Sequence, residues 1–145
     1  MTNPFTVSAV NWHDGEMMLR SVREAVFIRE QGIAPELEWD GQDAGCRHVL
    51  VLSHQGAAIG CGRMFASGHI GRIAVLPKWR GQKVGTAIVE AMLDYARMHG
   101  YVEVDVDAQT QAVPFYHGFD FIEEGAVFMD AGLPHVKMRL KLFPR

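Results

Sequence analysis

The sequence predicts an α/β (α+β) fold with a largely antiparallel central sheet of six to seven strands and about four flanking helices. Apolar, β-branched runs separated by glycine-containing turns at 54–56 and 66–68 are typical of an antiparallel meander. A helical spacing of apolar residues then begins at Val84 and stops at Gly100. Near the C-terminus apolar and basic residues alternate, which predicts a strand with one face in water.

The elements are predicted in the following order along the chain. Residues 5–10 form an edge strand, and an apolar face from Met18 to Arg29 predicts a helix that ends at Gly32. Residues 33–46, rich in acids, are expected to form a long loop or a broken helix. The remaining predictions are strands at 48–53, 57–65 and 69–75, a helix at 84–99, a strand at 101–106, a short helix at 110–117, and strands at 119–124 and 135–142.

Composition limits the classes of function. The 145 residues, 48% of them hydrophobic, fit a single domain spanning 1–145. A net charge of -3 argues against nucleic acid as the main partner, because binding phosphates calls for a basic face. The absence of a long apolar run or a signal peptide predicts a cytoplasmic protein with no membrane partner. Cys46 and Cys61 lack metal-ligand spacing, so we expect reduced thiols and no metal.

The junction at 75–86, between a predicted strand and a predicted helix, is the most informative segment. A helix that opens with unpaired N–H groups carries a partial positive charge. Gly81 and Gly85 allow an anion to approach the backbone, and Arg80 and Lys83 add full positive charges. The segment therefore indicates a phosphate-binding site made largely of backbone amides.

The segment fits neither of two familiar nucleotide loops but resembles a third. It lacks the lysine of a P-loop before Thr86, and it lacks the GxGxxG fingerprint of dinucleotide-binding folds. It resembles the pyrophosphate loop of the GNAT superfamily of acyl-CoA-dependent N-acetyltransferases, written [Gln/Arg]-x-x-Gly-x-[Gly/Ala]. Arg80 fills the first place and Gly85 the last, while Lys83 stands where the pattern has its middle glycine.

A second signature follows one helix and one strand later. Residues 109–121 resemble the GNAT pattern Asn-x-x-Ala-x-x-Phe-Tyr-x-x-x-Gly-Phe, with Gln109 in place of the Asn and Asp120 in place of the Gly. The resemblance covers about 48–142. Three further segments are similar to a subgroup of small bacterial GNAT proteins whose acceptors are mostly unassigned; they lie at 23–32, 35–40 and 130–138.

The resemblance implies transfer of an acetyl group from acetyl-CoA to a primary amine of a small molecule or peptide, by direct attack in a ternary complex. In the family, the strand equivalent to 72–75 bulges and splays from the strand equivalent to 102–106, and the pantetheine arm lies between them. The implied cofactor-binding residues are Ile73, Ala74, Val75, Arg80, Gly81, Gln82, Lys83, Val84, Gly85, Thr86 and Gln109. The sequence leaves open a homodimer, and also a non-catalytic acyl-CoA-binding or regulatory module. A covalent cysteine acyl carrier ranks last.

The family position of Tyr116 implies that it is the general acid, because a phenol can protonate a leaving thiolate. The base stays open. An imidazole or a carboxylate could take a proton from the acceptor amine, and the candidates are Glu30, His69, Asp105, Asp107 and His135, with His135 and Glu30 preferred. The acidic residues between 36 and 43 are expected to line the acceptor side and to attract a cation.

Overall fold

The computed structural model describes residues 4–143, which form a seven-stranded sheet flanked by helices. The strands are β1 (Phe5–Val10), β2 (Arg47–Ser53), β3 (Ala58–Met64), β4 (His69–Val75), β5 (Glu103–Gln109), β6 (Ile122–Asp130) and β7 (Leu133–Lys141). The helices are α1 (Trp12–Arg23), continued by a π-helix (Glu24–Glu30), α2 (Pro35–Glu38), α3 (Val84–Met98) and α4 (Val113–His117). Short 3₁₀ turns lie at Asp43–Gly45, Pro77–Trp79 and Thr110–Ala112.

The strand order is β1-β2-β3-β4-β5-β7-β6, and every neighbouring pair is antiparallel except β4 and β5. The predicted meander is confirmed as β2-β3-β4, because each of its turns is short and contains a glycine with positive φ. None of the helices described between residues 4 and 143 is long and apolar enough to cross a membrane.

Two helices cover opposite faces of the sheet. Helix α3 buries Val84, Ile88 and Met92 against one face, and α1 buries Leu19 and Val22 against the other. Successive residues of a strand point to opposite faces. The residues of β5 and β7 that alternate with the α3-facing ones are therefore on the α1 side, where they are largely charged.

Several predicted boundaries are wrong for identifiable reasons. The first helix starts six residues before Met18, because Asn11 caps it by accepting a hydrogen bond from the Asp14 amide at 2.8 Å. The strand predicted at 101–106 is β5, which runs on to Gln109. The strand predicted at 119–124 is β6, whose nine residues are all exposed. Its edge position removes the burial pattern on which a sequence-based prediction depends.

The splayed strand pair is present between β4 and β5. Their pairing is limited to His69 with Asp105 and Ile70 with Val106. Beyond these residues β4 bulges, since its register against β3 shifts and Arg72 takes a φ of 51°. A V-shaped opening therefore separates the C-terminal half of β4 from the end of β5.

Candidate active site

The opening between β4 and β5 widens into a cleft of about 1110 Å³. Its wall brings together residues from the π-helix, β4, the start of α3, the end of β5, α4 and the β6–β7 hairpin. Of the predicted cofactor-binding residues, Gln82 alone is outside the wall, and its side chain donates to the Lys78 carbonyl at 3.1 Å. Of the candidate bases, Asp105 alone is outside it. The predicted residues that line the cleft are Glu30, Ile73, Ala74, Val75, Arg80, Gly81, Lys83, Val84, Gly85, Thr86, Gln109, Tyr116 and His135.

The backbone amides that precede α3 are open to a ligand. Gly81 and Lys83 have φ values of 76° and 68°, which turn the chain sharply before the helix begins at Val84. Within residues 4–143, the amides from Gly81 to Thr86 have no protein acceptor, and the first helical bond runs from the Ala87 amide to the Lys83 carbonyl at 3.0 Å. A helix start with free N–H groups is suited to an anion. The Arg80 amide differs, because it donates to the Pro77 carbonyl at 3.2 Å.

The Arg80 side chain is already paired. Its guanidinium donates two hydrogen bonds of 2.7 Å to the Glu30 carboxylate, and its Nε donates to the Val75 carbonyl at 3.0 Å. The hydrogen bond from Arg80 lowers the pKa of Glu30. Two predicted roles are weakened together: Arg80 brings little net charge to the loop, and Glu30 is a poorer base than a free carboxylate. Lys83 forms no ion pair among the described residues.

The main chain of β4 offers hydrogen-bonding groups to the opening. The Leu76 amide donates to the Ile59 carbonyl of β3 at 2.9 Å, so the alternation of an antiparallel ladder directs the main-chain groups of Val75 and Ile73 away from β3. Ala74 is paired with Cys61 and faces β3 instead. The edge of the splay thus lies on Ile73 and Val75, which are among the cofactor-binding residues that the family resemblance implied.

Tyr116 and His135 lie on the far side of the cleft. Tyr116 packs edge-on against Phe115 and Phe121, and burial raises its pKa to about 12. His135 donates from Nδ1 to the Leu133 carbonyl at 2.8 Å, which leaves Nε2 as the nitrogen with a lone pair. A buried phenol that stays protonated and an imidazole that can accept a proton therefore share one cavity.

The amide of Gln109 is held by a residue that the sequence did not indicate. Gln109 donates to the Gln31 side-chain oxygen at 2.9 Å and accepts from the Gln31 side-chain nitrogen at 3.4 Å. Gln31 follows the last residue of the π-helix, directly after Glu30. Two consecutive residues thus contact the two sides of the cleft. Glu30 contacts Arg80 on one side, and Gln31 contacts Gln109 on the other. A π-helical segment is itself a frequent sign of a functional site.

Glu38 and Asp40 of the acidic segment lie in the cleft wall, but the expectation that they attract a cation is wrong, because arginines neutralise them. Glu38 and Asp43 are 2% and 5% exposed, and they share the guanidinium of Arg23 at 2.7 and 2.6 Å. Arg63 pairs with Asp43 at 2.9 Å and with Asp40 at 2.6 Å. The hydrogen bond from Arg63 lowers the pKa of Asp40 to about 2.

Arg72 completes this network at the β4 bulge. Its Nε lies 3.1 Å from the Glu38 carboxylate, and its outer nitrogen contacts Asp40 at 3.3 Å. Three arginines thus balance the carboxylates of Glu38, Asp40 and Asp43, which leaves the exposed Glu36 as the acidic residue of this segment outside the network. The network instead fixes α2 and the strained Arg72 backbone beside the cleft. The feature of the sequence that could have indicated this network is an arginine in each of two otherwise apolar strands, Arg63 in β3 and Arg72 in β4.

Comparison with known proteins agrees with this geometry. A family model described as an acetyltransferase (GNAT) domain matches residues 23–142. The chain is 38% identical over 122 residues to YjcF of Bacillus subtilis, described as an uncharacterized N-acetyltransferase, covering 81% of this chain and 86% of that protein. Escherichia coli ElaA superimposes with a TM-score of 0.83 at 26% identity, covering 92% of this chain and 98% of that one. An acyl-CoA N-acyltransferase from Pseudomonas aeruginosa superimposes with a TM-score of 0.82 at 24% identity, covering 93% and 98%. The chain therefore belongs to the GNAT acetyltransferase family, whose members transfer an acyl group from an acyl-CoA.

Proposed function

We propose that this protein transfers the acetyl group of acetyl-CoA to a primary amine of a small molecule or peptide, by direct attack in a ternary complex. Family membership supports an acyl-CoA donor. The observation that carries the proposal is the opening of the unpaired amides from Gly81 to Thr86 onto the same cleft as Tyr116 and His135. An anion site and proton-transfer groups in one cavity are what a phosphate-bearing thioester donor requires.

The described residues fit such a donor at two points. The amides before α3, with Lys83, suit a diphosphate. The edge of β4 at Ile73 and Val75 does not pair with β5, and of its main-chain groups the Val75 carbonyl is already occupied by Arg80. This edge suits an extended chain that carries amides of its own, because such a chain completes an interrupted sheet ladder. Either amide can also face the thioester oxygen, where a hydrogen-bond donor stabilises developing negative charge.

Tyr116 is proposed to give its proton to the departing sulfur. Because burial raises its pKa to about 12, the phenol is protonated at neutral pH and has a proton to donate when negative charge develops on the sulfur. The amine must also lose a proton before it attacks. Of the two preferred bases, Glu30 is held as a carboxylate by Arg80, whereas the hydrogen bond of His135 within residues 4–143 uses Nδ1 and not Nε2.

Two alternatives have less support. A non-catalytic acyl-CoA-binding module has no need of a protonated phenol in the cleft, so Tyr116 favours the enzyme. A covalent cysteine carrier needs an accessible thiolate, but burial raises the pKa of Cys61 to about 12 and also raises that of Cys46. Neither thiol is part of the cleft wall.

The direct test is to incubate the protein with acetyl-CoA and a panel of amines while thiol release is followed. We expect release that depends on the acceptor and on enzyme concentration. The panel compares polyamines, amino sugars, amino acids and lysine-containing peptides. If coenzyme A binds by calorimetry but none of these amines induces thiol release, the non-catalytic module is the better description.

Tyr116→Phe is expected to lower kcat by about a hundredfold, the lower range for loss of a general acid, with little change in the Kd for coenzyme A. The substitution removes the proton donor and keeps the ring that packs on Phe115 and Phe121. Steady-state kinetics and calorimetry measure the two quantities. Tyr95→Phe, in a tyrosine outside the cleft wall, is the matched control. An unaltered kcat for Tyr116→Phe would mean that another group or solvent protonates the sulfur.

A further inference from the structure

A second imidazole lies in the cleft wall, where β4 and β5 separate. His69 is the first residue of β4, and its backbone pairs with Asp105 in the last stretch of regular pairing before the splay. Its side chain lies in the cleft wall and is 30% exposed. Asp107, two residues further along β5, lies in the same wall and is 32% exposed. The vertex of the splay thus has an imidazole between two carboxylates.

The contacts of His69 orient its ring. Nδ1 is hydrogen-bonded to the Asp105 carboxylate, and Nε2 lies 3.7 Å from the nearer oxygen of Asp107. Because an ionised carboxylate can only accept, the proton of the neutral ring is on Nδ1 and the lone pair is on Nε2. The separation from Asp107 is too long for a direct hydrogen bond, so Nε2 is free to accept from a ligand.

The charged neighbours of His69, Asp105 and Asp107 come from β7, and the turn before β4 adds an aromatic ring. Lys137 lies 3.6 Å from Asp105 and 3.4 Å from Asp107, and Arg139 lies 3.8 Å from Asp105. On the remaining side, the ring of Phe65 is 6.0 Å from the imidazole. One buried oxygen of Asp107 accepts no hydrogen bond within residues 4–143.

We propose that His69 is the general base that deprotonates the acceptor ammonium, and that Asp105 is its positioning residue. This assignment rests on the proposed function and extends it to acceptors that arrive as ammonium ions. An N–H bond of the ammonium breaks and an Nε2–H bond forms. The imidazolium lies between the carboxylates of Asp105 and Asp107, which stabilise it before its proton passes to water.

With Tyr116 as the acid, every proton in the reaction is accounted for. The neutral amine forms a bond to the thioester carbon, and the carbon–sulfur bond breaks. Two protons leave the nitrogen in total. The first goes through His69 to solvent, and the second is released to solvent while the proton of Tyr116 goes to the sulfur and is replaced from water. The net products are an amide, a thiol and one proton.

His69 is better placed for this role than the two preferred bases. The Nδ1 partner of His135 is a neutral carbonyl and its ring stacks on Phe128, and within residues 4–143 it forms no ion pair with a carboxylate. Glu30 is already bonded to Arg80. A base is effective when its conjugate acid is stabilised and oriented, which His69 obtains from Asp105.

The test compares His69→Gln, His69→Ala and a control, His99→Ala, whose exposed imidazole lies at the end of α3. At neutral pH we expect kcat to fall about a hundredfold in both His69 variants and to stay unchanged in the control. The difference in kcat between the unaltered protein and the His69 variants should become smaller as the pH approaches about 10, where a primary amine deprotonates without help. Added imidazole should restore activity to His69→Ala. Asp105→Asn should also lower kcat, without rescue by imidazole.

His69→Gln keeps a hydrogen-bond donor to Asp105, so its thermal unfolding should match that of the unaltered protein. A full kcat in either His69 variant overturns the assignment, as does a deficit that is constant with pH and insensitive to imidazole. A pH-dependent deficit in His135→Gln, with none in the His69 variants, assigns the base to His135. If the unaltered protein releases no thiol with any amine, the proposed function fails and this assignment fails with it. If the His69 variants release thiol at the full rate, the assignment of His69 as the base is overturned, but the proposed function is not.

Discussion

Gly85→Glu is expected to abolish the binding of acetyl-CoA, weakening it by more than about a hundredfold, or about 2.7 kcal/mol. A Cβ at Gly85 would lie 3.5 Å from the Phe115 ring and 3.9 Å from Val75, so a longer side chain must extend into the cleft between them. Its carboxylate would occupy the space in front of the unpaired amides and would repel a diphosphate. Calorimetric titration with coenzyme A measures the loss.

The matched control for this prediction is Gly85→Ala. Its methyl group makes only ordinary van der Waals contacts, so the Kd should change little. The fold should persist in both variants, because Gly85 lies in the first turn of α3, where a negative charge is favourable. Unimpaired binding by Gly85→Glu, with unchanged thermal unfolding, would contradict a diphosphate site at this helix start.

Arg23→Met is expected to lower the free energy of unfolding by about 3–5 kcal/mol, the range found when one partner of a buried ion pair is removed. Arg23 is 1% exposed and bonds both Glu38 and Asp43. Without it, two buried carboxylates share only Arg63 and Arg72, and the link from α1 to α2 is lost. A urea titration with linear extrapolation measures the change.

Arg29→Met serves as the control for that loss of charge. Arg29 pairs with Glu24 and is 70% exposed, so its removal should change the free energy of unfolding by less than about 1 kcal/mol. Arg23→Lys keeps the charge but loses the forked geometry, and should fall between the two. If Arg23→Met is as stable as Arg29→Met, the buried network does not hold α2 in place.

The predictions from local pattern are accurate where a single element decides them. The meander and the long helix from Val84 both depend on neighbouring residues, whose spacing and turn chemistry are visible in the sequence. The boundaries of β5 and β6 are less accurate. All of β6 is exposed, so it lacks the apolar alternation that a half-buried strand should show. β5 does alternate, with Val104, Val106 and Ala108 buried, but the strand continues three residues past its predicted end, to Gln109.

The predictions about side-chain roles fail where partners are distant in sequence. The acids of 36–43 look solvated until Arg23, Arg63 and Arg72 are brought to them from a helix and two strands. Arg80 looks free until Glu30, fifty residues earlier, is placed beside it. In each case the register between elements, and not the composition of either, determines the net charge of the site.

The amino-acid sequence by itself determined the fold class and the family, because periodicity, glycine placement and spaced signatures are local properties. The tertiary structure alone decided which charges are free. It balanced the acidic segment with buried arginines, and it paired Arg80 with Glu30. It also brought His69 to Asp105, thirty-six residues away, at the point where two strands separate. Electrostatic interactions depend on distances through space and on burial, which a chain acquires only when its strands are in register.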